Sequence, residues 1–233
     1  MSYSSNVCFA RVADKVGSDL LYRYVRDFGF GAATGIRLPG EEKGIVHPIS
    51  KWSGRTRVTM AIGQELSVTL MQMTTAFAAI ANGGVLLRPR ICEKVVDAHG
   101  AVVYSEDYAP VRQIMSPDVA RRLRYMLQGV VEKGTGKGAA LSGIGVGGKT
   151  GTAQKIDTAS GAYFADRYWS SFIGFVPVER PVLLCGIVID DPALGQSGGE
   201  VAAPAFRHTI SQILSSPDLE YAEAILRQES APD

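Results

Sequence analysis

Long apolar runs, cysteine and excess charge are all scarce in this sequence of 233 residues, and each scarcity removes a class of protein. The longest apolar stretch, Val182 to Ile189, is about eight residues, whereas a membrane-spanning helix needs about 20. Met1 is followed by Ser2-Tyr3-Ser4-Ser5-Asn6 rather than by a basic segment and an apolar one, so no secretory signal is visible. Cys8, Cys92 and Cys185 lie far apart without C-x-x-C spacing, which disfavours a zinc site or a dense disulfide framework. Basic and acidic side chains number 24 and 23, a net charge of +1, so no broad electrostatic surface for nucleic acid is expected. What is present, 46% apolar and 20% charged residues, suits a globular domain able to bury a core without staples.

The apolar periodicity alternates between helix and strand. The first thirty residues read as helical: Leu20, Leu21, Tyr24, Val25 and Phe28 recur at helical spacing after Ser18 as a cap, with Gly29 and Gly31 closing the helix. Residues 32–60 carry Pro39-Gly40, Pro48 and further turn chemistry, and read as an irregular excursion with short strands. A helix is predicted from about Ser67 to Ala81, with Leu70, Met73, Phe77 and Ile80 on one face and Asn82-Gly83-Gly84 as its stop. Val95-Val96 and Val102-Val103, around Asp97 to Gly100, predict a hairpin. Ser116-Pro117-Asp118 opens another helix, with Val119, Leu123, Met126, Leu127 and Val130 facing inward. Trp169 to Val176 and Val182 to Ile189 read as neighbouring strands, the second apolar enough to be buried on both faces. A last helix, from about Val201 to Leu214, precedes a polar tail. The class implied is α+β, with strands gathered late and helices around them.

Between the Ser116 helix and those strands lies a glycine-rich stretch with three readings. Gly143 to Thr150 matches G-x-x-x-x-G-K-T, the phosphate-binding loop, and Gly143, Gly145 and Gly148 also fit G-x-G-x-x-G. Both motifs need a buried strand before them and a helix directly after, because the helix N-terminus holds the phosphates. Lys137 to Ser142 has no β-branched run, and Thr152 leads to a turn at Asp157 to Gly161, so a P-loop NTPase is a remote alternative. A plain turn with a solvated Lys149 is the second reading. The third is K-T-G, at Lys149-Thr150-Gly151, a signature of serine acyl-transfer enzymes. There a strand offers a cation and hydroxyls to a substrate carboxylate, glycine admits the ligand to the backbone, and the amide of Thr152 can donate to a developing oxyanion.

Ser4-Ser5-Asn6 forms an S-x-N element. Serine and asparagine are favoured helix caps; in an active site the same residues would supply a hydroxyl that passes a proton to a leaving amine. Met60 to Gln64, Thr69 to Met73, Ile80 to Gly84, Gly148 to Gln154, Ser171 to Pro177 and Val201 to Pro204 follow in order. Together with Ser4-Ser5-Asn6-Val7 they resemble the C-terminal part of the transpeptidase domain of class B penicillin-binding proteins, along nearly the whole chain. Cys8 and Glu65 depart from that pattern, standing where glycine is expected.

The resemblance implies the penicillin-binding protein and serine β-lactamase-like fold, an antiparallel sheet flanked by helices and incomplete at the N-terminus. Residues 1–217 would be the C-terminal portion of the transpeptidase domain and 218–233 a tail. The activity implied is peptidoglycan D,D-transpeptidation, acyl transfer from a D-Ala-D-Ala stem peptide in cell-wall synthesis, without metal or organic cofactor. Ser4, Asn6 and Lys149 map onto catalytic positions; Thr150, Gly151 and Thr152 map onto positions that bind substrate and β-lactams. Division or elongation machinery would be the protein partners, at the extracytoplasmic face of a bacterial inner membrane, with no nucleic acid. The family's nucleophile element, S-x-x-K, does not occur: no serine here has lysine three residues later. The resemblance puts that element upstream of Ser4. The expectation is therefore a chain that starts after its nucleophile, central helix and early strands, and is inactive alone. Apolar faces of the Leu70–Ile80 helix and the Val182–Ile189 strand should then be partly uncovered. A non-catalytic binding or scaffold domain is the alternative.

Overall fold

Glycine at position 17 decides how the chain begins. In the computed structural model, which describes residues 1–157, 159–193 and 195–216, the stretch read as helical is divided into two helices. Ser5 caps α1 (Asn6–Val16), its Oγ accepting from the Cys8 amide at 3.4 Å. Gly17, at φ 81°, then breaks the path before α2 (Ser18–Asp27), so Ser18 is the first residue of α2 and not its cap. Lacking Cβ, glycine takes that left-handed break without a clash. The tail expected at 218–233 lies outside the described residues.

Residues 32–60 are irregular, as expected, with a short strand β1 (Ile45–Val46), but a helix α3 (Thr56–Ala61) that was not expected begins near their end. Six residues are too few to display a helical period. Hydroxyl groups start it: Thr56 Oγ1 accepts from the Ser53 amide, and Ser53 Oγ from the Arg55 amide. Strand β2 (Leu66–Ser67) pairs with β1, so helix α4 (Leu70–Ala81) starts later than expected. A capping box fixes that start, with the Gln72 amide donating to Thr69 Oγ1 at 3.1 Å and the Thr69 amide to Gln72 Oε1 at 3.0 Å. Gly83 and Gly84, at φ 95° and 104°, end it as predicted.

Two small antiparallel pairs follow: β3 (Val85–Leu87) with β6 (Pro110–Gln113), and β4 (Lys94–Val96) with β5 (Val102–Ser105). The latter is the expected hairpin, its turn held by Asp97 Oδ1, which accepts from the His99 and Ala101 amides. Helix α5 (Pro117–Lys133), capped by Ser116, buries Ala120, Leu127, Val130 and Val131. Val119 and Met126, expected inward, are 45% and 53% exposed. They share a row one position off the buried seam, so the apolar period was read one row too wide.

One larger antiparallel sheet carries the rest, in the order β7 (Gly147–Ile156), β8 (Tyr163–Val176), β9 (Leu183–Asp190). The strand buried on both faces is β8 and not, as expected, the run at 182–189. β8 is central and fully buries Phe172, Phe175 and Val176, whereas Val188 on β9 is 40% exposed. Phe172 and Val176 pack with Phe206 and Ile210 of α6 (Ala202–Leu214), the Phe172 and Phe206 rings meeting edge-on with centroids 4.9 Å apart. Phe175 packs instead with Leu127 of α5 and with Phe77 and Ile80 of α4. Emptying either phenylalanine position on β8 would cost about 3–5 kcal/mol. Helices on both faces of an antiparallel sheet give the α+β class expected. Leu70 on α4 and Val188 on β9 are exposed, while Phe77 and Ile80 are packed, so the two faces are uncovered only in part.

Candidate active site

Lys149, Thr150, Gly151 and Thr152 lie in mid-strand on β7, opposite Ile173, Phe172, Ser171 and Ser170 of β8. The glycines before them are there for packing. A Cβ on Gly148 would stand 2.8 Å from Phe172 Cε1, and one on Gly147 2.5 Å from Phe175 Cε2, so only bare backbone lets β7 cross those rings. This removes the phosphate-loop reading. Among the described residues the next helix after Thr150 is α6, beginning at Ala202, so no helix directly follows the glycines as a phosphate loop requires.

Strand alternation puts Lys149 and Gly151 on one face of β7 and Thr150 and Thr152 on the other. Lys149 Nζ donates to Ser4 Oγ at 2.5 Å and to the Thr150 carbonyl at 2.8 Å, with Thr150 Oγ1 at 3.5 Å. The two motifs, 145 positions apart in sequence, therefore meet. Burial pushes the Lys149 pKa below the ordinary lysine value. A partly desolvated ammonium gives up its proton more readily than an exposed one. Neighbouring serines divide the roles foreseen for S-x-N: Ser5 caps α1, and Ser4, in the left-handed region at φ 49°, reaches the lysine. Asn6 is the first residue of α1 and is exposed, its side chain making no hydrogen bond among the described residues.

The threonines are held on the other face. Thr150 Oγ1 lies 2.7 Å from Thr135 Oγ1, and the Thr135 amide donates to the Ser2 carbonyl at 3.1 Å. Thr135 went unnoticed in the sequence; the signal was Gly134, whose Cβ would collide with the Ser2 carbonyl and which marks where the N-terminal segment is seated. Thr152 Oγ1 accepts from the Gly198 amide at 3.1 Å, which leaves its own hydrogen free to donate. Beside it opens a cleft of about 600 Å³ lined by Thr152, Pro192, Ala193, Gly195, Gln196 and Ser197. Gly151 has a second reason to be glycine besides ligand approach, since its Cβ would stand 2.5 Å from Ser171 Oγ. Glu65 occupies the left-handed region at φ 61°, which is why glycine is the residue expected there. Its carboxylate accepts from Thr56 Oγ1 at 2.6 Å and Thr59 Oγ1 at 2.5 Å, bonds that glycine could not make.

Comparison with known proteins tests the family resemblance. The family model described as the penicillin binding protein transpeptidase domain matches residues 1–211. Penicillin-binding protein PbpB of Mycolicibacterium smegmatis is 40% identical over 220 residues, covering 91% of this chain and 34% of that protein. Stage V sporulation protein D of Bacillus subtilis is 39% identical over 203 residues, covering 86% of this chain and 31% of that protein. The chain thus spans about a third of the length of these curated relatives. Among solved structures, penicillin-binding protein 3 from Mycobacterium tuberculosis, complexed with ampicillin, superposes with a TM-score of 0.84 at 37% identity, covering 99% of this chain and 50% of that one. A match along nearly the whole chain, joined to a serine and a lysine brought together from its two motifs, has one meaning: the chain belongs to the penicillin-binding protein transpeptidase family.

Proposed function

We propose that this chain forms the S-x-N and K-T-G walls of the active site of a peptidoglycan D,D-transpeptidase, whose nucleophile is the serine of an S-x-x-K segment outside these 233 residues. The observation that carries the reading is the bond from Lys149 Nζ to Ser4 Oγ. Because Lys149 donates to that oxygen, the hydrogen of Ser4 is free to move to a leaving nitrogen. In the first half-reaction the nucleophile gives its proton to the lysine of the S-x-x-K segment as its oxygen bonds to the carbonyl carbon of the penultimate D-Ala. The C–N bond to the terminal D-Ala breaks, its nitrogen takes the proton of Ser4, and Lys149 restores that proton. In the second, the amine of a neighbouring stem attacks the acyl carbon and gives a proton back through Ser4 to Lys149, while the C–O bond breaks and the serine regains its proton from the S-x-x-K lysine. β7 is an edge strand of its sheet, so amides on its open side are available to a peptide. That of Thr152 donates to the oxyanion, a contact worth about 2.7–4 kcal/mol in other acyl-transfer enzymes. The hydroxyls of Thr150 and Thr152 receive the substrate carboxylate, and the Asn6 amide, which makes no bond to Lys149 here, is left for the substrate.

A β-lactam offers the same carbonyl and carboxylate, but its leaving nitrogen stays tethered, so the acyl-enzyme persists. Without the S-x-x-K segment the chain binds and does not turn over. The whole protein works at the outer face of the cell membrane with division or elongation partners; among the described residues no helix is long and apolar enough to cross that membrane. The test joins an in-frame S-x-x-K segment upstream of Ser4 and exposes the protein to a fluorescent penicillin. Covalent labelling is expected, and Lys149→Ala should abolish it in a protein that still unfolds cooperatively. An unlabelled parent protein overturns the reading and leaves a binding or scaffold domain.

A further inference from the structure

At the far end of the sheet from Lys149, one carboxylate gathers three strands. Asp191 follows β9 with φ 45°, a conformation uncommon outside glycine but open to aspartate. Its Oδ2 accepts from Lys155 Nζ of β7 at 3.0 Å and from Arg167 Nε of β8 at 2.7 Å. Its Oδ1 accepts from the Tyr168 amide at 3.1 Å, and its own amide donates to the Tyr168 carbonyl at 3.0 Å. Lys155 also donates to Asp190 Oδ1 at 2.6 Å and stands 4.8 Å from the centre of the Trp169 ring. Ion pairs at a surface add little stability, and the Arg167 and Asp191 side chains are 47% and 30% exposed. What this knot fixes is geometry.

The residues that leave the knot build the cleft. Pro192, Ala193, Gly195, Gln196 and Ser197 line it opposite Thr152. The near end of this wall is tied to the site by backbone groups: buried Ser170 Oγ donates to the Gln196 carbonyl at 2.5 Å, and the Gly198 amide to Thr152 Oγ1 at 3.1 Å. Its far end depends on Asp191. Pro192 has φ fixed by its ring, so the direction in which the wall leaves β9 is set by the backbone of Asp191, and that backbone is held by its side chain.

We propose that Asp191 is a positioning residue that fixes this wall and thereby decides how bulky an acyl side chain, on a stem peptide or a β-lactam, the site accepts beside Thr152. The proposal rests on the transpeptidase reading above. Without the carboxylate, φ 45° loses its support and the wall relaxes, changing the fit of bulky groups while leaving the Lys149–Ser4 pair untouched. Asp191→Asn keeps a residue tolerant of that backbone and an acceptor for the Tyr168 amide, but loses the ion pairs, so its effect is intermediate.

The experiment uses the protein with the S-x-x-K segment joined upstream and two penicillins, one with a small and one with a bulky acylamino side chain. Binding constant and limiting acylation rate are measured separately. In Asp191→Ala the ratio of acylation efficiencies for the two penicillins should change about tenfold, through the binding constant, with a smaller change in Asp191→Asn. An unchanged ratio, or equal slowing of both ligands through the acylation rate, overturns the proposal. Amide hydrogen exchange supplies a second readout that needs no acylation. Faster exchange at Ala193 and Gly195, on the end of the wall that Asp191 holds, supports the proposal in Asp191→Ala and wild-type exchange there overturns it, even if the parent protein is never labelled and the transpeptidase reading has failed.

Discussion

Gly148→Ala would place a methyl carbon between β7 and the ring of Phe172. On the present backbone that carbon stands 2.8 Å from Phe172 Cε1 and 2.9 Å from the Ile173 carbonyl oxygen, with Phe172 Cζ nearer still. Non-bonded carbons sit comfortably about 3.5–4.0 Å apart, so ring or strand must give way by roughly 1 Å. The ring has nowhere to go. Phe172 is fully buried, lies edge-on to Phe206, and has Gly136 and Gly174 so close that a Cβ on either would stand 3.2 and 2.7 Å from it. Overpacking of this kind costs about 1–3 kcal/mol, and the entropy that alanine removes from the unfolded chain returns about 0.4–1 kcal/mol, for a net loss near 1–2 kcal/mol. Urea unfolding measures it, and the decisive comparison is a double-mutant cycle with Phe172→Leu. Shortening the ring makes room for the methyl, so the double variant should be more stable than the sum of the single losses allows, by about 0.5–3 kcal/mol. Strict additivity, or a Gly148→Ala protein as stable as its parent, would refute the packing account of this glycine. Because Lys149 is the next residue, the same displacement should slow labelling of the restored protein by penicillin.

Lys149→Met isolates the cost of a buried cation. Below its lowered pKa, Lys149 is charged in both states and burial opposes folding; between that value and the ordinary lysine value only the unfolded chain keeps the proton. Stability of the parent relative to Lys149→Met should therefore rise with pH, and urea unfolding from about pH 7 to 10 would show it; a flat or falling difference refutes the burial argument. Thr69→Ala removes the side-chain arm of the α4 capping box, the acceptor of the Gln72 amide, and should lower stability by about 1 kcal/mol, read as a shift of the urea midpoint without a change of slope. An unchanged midpoint would mean that Gln72 alone holds the start of α4, through its bonds to the Ala32 and Lys43 carbonyls.

Legibility in the sequence followed the physical range of each signal. α4, α5 and α6 are long enough for apolar residues to repeat several times, so their existence and C-terminal ends were readable, and Ser116 marked the start of α5, whereas α4 begins three residues later than its period suggested. α3 is six residues long and depends on hydroxyl bonds among Ser53, Arg55 and Thr56, which no hydrophobic period reports. The burial of β8 over β9 was not readable, because it follows from strand order: both segments are apolar, and only the central position of β8 buries both of its faces. At the site, Ser4, Asn6, Lys149, Thr150, Gly151 and Thr152 were named from motifs whose order carried the resemblance. Thr135 and Gly198 were missed for a common reason. Each acts through a contact made on folding, Thr135 with Thr150 and Gly198 with Thr152, and neither contact leaves a trace in local composition.

The glycine-rich stretch shows why a motif acquires meaning only from what it touches. Gly143 to Thr150 satisfies a phosphate-loop pattern residue for residue, yet two of its glycines answer to aromatic rings on the neighbouring strand. In a phosphate loop glycine opens space for an anion in front of a helix; here Gly147 and Gly148 open space for Phe175 and Phe172 behind a strand. The lysine differs in the same way. A phosphate-loop lysine meets a polyanion, whereas Lys149 meets a serine hydroxyl and a carbonyl, neutral acceptors that leave its pKa to be set by burial. An ammonium so placed gives up and regains a proton more readily than one neutralised by phosphate, as the proposed proton transfer through Ser4 requires. The packing of β7 on β8 and the chemistry of Lys149 therefore depend on the same glycines, since bare backbone at 147 and 148 is what lets the strand sit low enough for the lysine to be buried beside Ser4.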